Sequence, residues 1–241
     1  MKKMCMLTWI SMFLSVFCSC NNDLMEYGDN DVRISMEQGD AWLHDFPLFL
    51  GIKKKNPPQI AVWTEDLSGK YLSTVYVTHK IATQSWQAAG KNRRKEALPH
   101  WCHSRGVKYE DGLFLPTKKE PLTDGISGAT PRGSFDVKVT PVSYLKQFVV
   151  KVEINHSTDF NEHYPESAKE GDSNYSGGEK GSGQPAVIYA AQVDLTSGKK
   201  EFKARLLGHS SPDGSDGYIY EDVSTLTTAL QIVKQITIHI K

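Results

Sequence analysis

Apolar and polar residues alternate along much of this chain with the period of two that a half-buried β-strand requires. Val32-Arg33-Ile34-Ser35-Met36 is the first such run. Phe135, Val137 and Val139 share one face of a run between Ser134 and Thr140, and Phe148, Val150, Val152 and Ile154 mark the next. Val187, Tyr189, Ala191 and Val193 give another, and Ile232, Ile236, Ile238 and Ile240 the last. Two β-rich runs, 59–65 and 71–78, flank Asp66-Leu67-Ser68-Gly69-Lys70, which predicts a hairpin. The turn Asp194-Leu195-Thr196-Ser197-Gly198-Lys199 repeats that chemistry and leads into a strand at Phe202–Leu206. At least seven strands separated by turn signals predict an all-β fold, an antiparallel β-sandwich of Ig-like character.

Three stretches break the pattern. Ala41 to Leu50 is aromatic-rich and is expected to cover one end of the core. Residues 79–106 are less regular: a short helix is expected to start near Trp86, and His100-Trp101-Cys102-His103 reads as a partly buried aromatic strand. Residues 155–184 form a long polar insertion rich in Gly and Ser, and a loop of that length is either functional or disordered.

Composition places the chain among ordinary globular domains. Its 241 residues suit one domain with a real core, and its 28 basic residues balance 28 acidic ones, which argues against a nucleic-acid partner. The N-terminus has a different character. Lys2 and Lys3 precede a short apolar run from Met4 to Phe17, and Ser19-Cys20 then gives way to Asn21-Asn22-Asp23. That is a secretory pattern, too short for a membrane span, and the boundary cysteine resembles a bacterial lipoprotein cleavage site. Residues 1–19 are therefore read as a lipoprotein signal peptide, Cys20 as the lipidated residue, 20–31 as a polar tether and 32–241 as a single sandwich domain. Cys5 and Cys18 fall in the removed segment, so Cys102 is left without a disulfide partner.

One stretch points to chemistry. Asp124-Gly125-Ile126-Ser127-Gly128-Ala129-Thr130 resembles the acceptor signature of extracytoplasmic flavin-carrying domains. In those domains a flavin transferase joins FMN to the final threonine through a phosphodiester. The residue types suit this role. Thr130 supplies a hydroxyl nucleophile, Ser127, Gly128 and Ala129 leave room around it, and Asp124 is able to orient a hydroxyl or a metal-bound phosphate. Pro131 holds Thr130 towards an extended conformation. The same residues also read as a tight, exposed turn leading into the strand at Ser134.

Further landmarks are Asn-Pro-Pro-Gln-Ile at 56–60, Ala97-Leu98-Pro99, His103-Ser104-Arg105, Glu153-Ile154-Asn155, Gly183-Gln184-Pro185 and Leu207-Gly208-His209. With the flavin-type stretch they make residues ~50–241 similar to the predicted periplasmic proteins grouped as domain of unknown function 2271, in the lipoprotein form found in Bacteroidetes. The resemblance implies a periplasmic or outer-membrane-surface location in a bacterial cell envelope and an association with flavin-linked electron transfer. It supplies no catalytic residue.

Other constellations are weaker. His100, Cys102 and His103 are metal-ligand types, but no second ligand pair stands at a diagnostic spacing, so no metal is assigned. Asp213-Gly214-Ser215-Asp216-Gly217 is similar to a calcium loop yet lacks its first acidic ligand. Arg105, Glu153, Asn155 and His209 would converge only if their strands are neighbours. Trp42, Trp63, Trp86 and Trp101 are candidates for a sugar-binding face or for core. The expected function is that of a non-catalytic, lipid-anchored flavin carrier served by a flavin transferase and a membrane redox protein. The alternative is a ligand- or glycan-binding, or purely structural, surface lipoprotein.

Overall fold

The computed structural model describes residues 31–47, 50, 52–86, 92–123, 125–141 and 145–241. The predicted signal peptide, Cys20, the tether up to residue 30 and Asp124 lie outside the described residues.

The chain is an antiparallel β-sandwich. The smaller sheet has the order β10 (Glu201–Lys203), β12 (Val233–Ile240), β1 (Val32–Gln38), β7 (Phe135–Val139). The larger has the order β11 (Arg205–His209), β9 (Val187–Asp194), β8 (Gln147–Asn155), β4 (Gln59–Glu65), β5 (Tyr71–Thr78), β6 (Ile126–Gly128). Every pairing in these sheets is antiparallel except that of β5 with β6. A separate hairpin joins β2 (His44–Pro47) to β3 (Lys53–Asn56).

Alternation fixes which face each strand turns inward. Ile34 and Met36 of β1, Ile236 and Ile238 of β12, and Phe148, Val150 and Val152 of β8 meet Ile60 and Val62 of β4 in one core between the sheets. A second core lies on the other face of the large sheet. There Ala61 and Trp63 of β4 pack with Ile81, Leu98, Trp101 and Leu115. Every residue of β4 is consequently buried, because apolar layers cover it from both sides.

Segment 79–122 forms that second layer, and here the structure corrects the sequence reading. A helix does form, but as α1 (His79–Thr83) directly after β5, and it ends before Trp86. The predicted aromatic strand at 100–103 is a helix, α2 (Pro99–Ser104). Pro99 opens it, where a missing N–H costs nothing. The free N–H groups of His100 and Trp101 then donate to the Glu153 carboxylate at 3.1 and 2.7 Å. The tertiary partner decides the element, since Leu98 at the cap position offers no side-chain acceptor.

The predicted strand at 202–206 is divided. Its first half pairs with β12, its second with β9, so residues 201–209 pass from one sheet to the other at Ala204. The two echoing turns do share one chemistry. Asp66 Oδ1 accepts from Ser68 N and Lys70 N, and Asp194 Oδ1 accepts from Thr196 N and Oγ1. The 155–184 insertion folds back on itself: Asp159 N donates to Ser182 O and Gln184 N to Asp159 O, with Tyr164, Ser176 and Ser182 buried.

Candidate functional site

β6 is the edge strand of the large sheet, pairing Tyr76 with Ile126, Val77 with Ser127 and Thr78 with Gly128. The chain then turns through Ala129, Thr130 and Pro131 to reach β7 in the smaller sheet, so the motif bridges the two sheets along one side of the sandwich. Ser127 and Ala129 are exposed, and Gly128 and Thr130 are half-buried. Thr130 Oγ1 has no hydrogen-bond partner among the described residues. The backbone on either side of it is pinned. Tyr76 Oη–H donates to Ala129 O at 3.1 Å, and Trp42 Nε1–H donates to Pro131 O at 3.1 Å. Phe135 lies between these two rings, 5.6 Å from Tyr76 and 6.1 Å from Trp42. Burial pushes the Tyr76 hydroxyl up to about 12, so it remains a donor at any physiological pH.

The motif glycines differ in their duties. A Cβ on Gly125 would meet Thr74 Cγ2 at 2.7 Å, so this glycine lets the segment close onto β5. A Cβ on Gly128 would meet the Tyr76 ring at 3.4 Å, an ordinary contact. On the far side, Arg132 Nη1 donates to Lys55 O at 3.3 Å, which sets a guanidinium beside the exposed Lys53, Lys54 and Lys55 of β3.

The remaining sequence candidates are structural. Glu153 is fully buried and caps α2 from below; burial pushes its carboxyl up to about 8, against the pull of its two N–H donors. Asn155 lies on the same face of β8 and donates to Gln184 O, while His209 stacks on Tyr220. Arg105 lies over the Trp101 ring at 5.2 Å, and with Glu153 and Asn155 buried these four line no open pocket among the described residues. Asp213 Oδ1 accepts from Ser215 N and Ser211 Oγ, and Asp216 Oδ1 accepts from Tyr218 N, so both carboxylates serve turns. Cys102 is buried, which pushes its thiol up and leaves it inert. Among the described residues no group of three or more His, Cys, Asp or Glu is placed to hold a metal ion, and no helix is long and apolar enough to cross a membrane. Of the four tryptophans proposed for a sugar face, Trp42, Trp63 and Trp101 are core, and only Trp86 is half-buried.

One buried relay was missed. Lys151 Nζ lies 2.9 Å from Glu65 Oε2 and 3.1 Å from His100 Nε2; Trp63 Nε1–H donates to Glu65, and His100 Nδ1–H to Gly217 O. Burial holds the His100 imidazole below its usual range, which suits a ring accepting from an ammonium. The signal was present: Lys151, Glu153 and Asn155 occupy alternate positions of β8, a face that reads as solvated until the second layer is known.

Comparison with family models, curated proteins and solved structures finds no match for this chain.

Proposed function

We propose that this chain is a non-catalytic flavin carrier of a bacterial envelope, lipid-anchored at Cys20, with FMN attached to Thr130 and a membrane redox protein as its electron-transfer partner. The single observation that carries this reading is the setting of Thr130: a hydroxyl without a partner among the described residues, on an edge-strand exit, with the carbonyls on both sides of it held by Tyr76 and Trp42. A modifying enzyme requires an approachable nucleophile on backbone that does not move away, and both conditions are met.

The residues present fit the group. Ser127 and Ala129 are small and exposed and leave space beside the hydroxyl, and Arg132 with the β3 lysines offers cations for a phosphodiester. Bound flavin would supply the one- and two-electron chemistry that no side chain in the motif possesses. The protein's part is to hold Thr130 at a fixed point on the edge of the sandwich and to present it to solvent. The similarity to the domain-of-unknown-function 2271 proteins belongs to the same reading, as does the envelope location.

Co-expression with a flavin transferase, followed by intact-mass analysis, tests the proposal. An FMN-sized increment is expected in the parent chain and in Ser127→Ala, and none in Thr130→Ala. No increment in the parent, or one that persists in Thr130→Ala, removes the proposal.

A further inference from the structure

A cavity of about 690 Å³ opens in the second layer, between the chain after α1 and the loop that follows α2. Its described lining comes from residues 84–93 and 110–120, with no contribution from β6 or Thr130. Its volume falls within the range of small-ligand sites.

Three of its side chains carry buried polar atoms without a partner among the described residues. Gln84 Oε1 is an acceptor, and Trp86 Nε1 and Arg93 Nε are donors. Gln84 is only 3% exposed, and its amide nitrogen already donates to Ile81 O, so the unmet need is confined to its oxygen. Buried polar atoms left unpaired are costly, and a ligand that pairs them gains what the empty site lacks. Arg93 also braces the opposite wall: Nη2 donates to Leu115 O and Pro116 O at 2.9 and 2.8 Å, and Nη1 pairs with Asp111.

The lining narrows the class of ligand. The cations Arg93, Lys118 and Lys119 face the anions Glu110, Asp111 and Glu120, so the site has no net charge to favour a polyanion or a polycation. No aliphatic side chain lines it, which argues against an acyl chain or a lipid. Asn92 and Thr117 add two further groups that both donate and accept. We propose that this cavity binds a neutral, hydroxyl-rich ligand, a short saccharide. Each sugar hydroxyl donates and accepts at once, and so matches a wall in which unpaired donors and acceptors are mixed. Trp86 is the one residue of the four sequence candidates that reaches such a site.

The proposal is independent of flavin attachment and is tested on the Thr130→Ala protein. Maltotriose and triacetylchitotriose serve as probes in isothermal titration calorimetry. A saturable isotherm is expected with at least one of them, weakened ~10-fold or more by Trp86→Phe, which keeps the ring and removes the N–H, and by Gln84→Leu. Thermal midpoints show which variants are folded; if Gln84→Leu is not, Trp86→Phe alone decides. Heats from neither probe that saturate, or an isotherm unmoved by Trp86→Phe, overturn the assignment.

Discussion

At the scale of single residues, the motif separates what the fold needs from what the proposed chemistry needs. Gly125 is a packing residue: a methyl there would press on Thr74, whose hydroxyl is already engaged with Tyr71 Oη at 2.6 Å and Trp101 Nε1 at 3.1 Å. Gly125→Ala is expected to destabilise by ~1–3 kcal/mol in chemical denaturation, because Thr74 is not free to rotate away. Gly128→Ala meets only an ordinary contact and is expected to stay within ~0.5 kcal/mol of the parent. If Gly128→Ala nevertheless lowers flavin attachment, the glycine serves the approach of the modifying enzyme; equal losses of stability in both variants would contradict the distinction.

At the scale of elements, α2 shows how a tertiary partner overrides a local pattern. Six residues are too few to form a stable helix alone. The element exists because Pro99 starts it and the Glu153 carboxylate, rising from β8, receives its first free N–H groups. Glu153→Ala leaves those donors buried and opens a void beneath the helix. A loss of ~2–4 kcal/mol is expected, with amide exchange accelerating first at His100 and Trp101. Uniform acceleration across β8 and β4 instead would show that Glu153 supports the sheet rather than the helix. The Lys151–Glu65–His100 relay belongs to the same interface and gives the second layer its fixed seat on the large sheet.

At the scale of the molecule, two buried groups set opposing dependences on pH. Burial lowers His156 from 6.5 to about 4, so the unfolded chain takes up a proton before the folded one does, and stability falls with pH across that window. Burial raises Glu153 from 4.5 to about 8, so the folded chain keeps a proton that the unfolded chain has lost, and stability falls as pH rises across that window. Between about 4.5 and 6.5 the two slopes oppose each other, and above 6.5 only the Glu153 decline remains. Thermal midpoints are therefore expected to be nearly level from pH 4.5 to 6.5 in the parent. In His156→Gln the compensating rise is gone, and they are expected to fall steadily across the same interval; a parent and a variant with the same profile would contradict this.

The sandwich was legible in the sequence because its strands have one core face each, and a period of two survives as a pattern in β1, β7, β8, β9 and β12. The hairpin turns were legible because an Asp, Ser or Thr side chain bonds its own neighbouring backbone, an interaction that local order alone specifies. The flavin-type motif was legible as residue types, while its placement on an edge strand was not, since a three-residue strand leaves too short a run to show any period. The second layer was also hidden. β4 and β8 carry polar residues on a face that looks solvated, and only the covering of that face by 79–122 turns Glu65, Lys151 and Glu153 into a buried network. Sequence by itself determined the alternation and the turns, which depend on neighbours along the chain. The tertiary structure decided the helix at Pro99–Ser104, the buried relay and the cavity at Trp86, because each depends on groups brought together from distant parts of the chain.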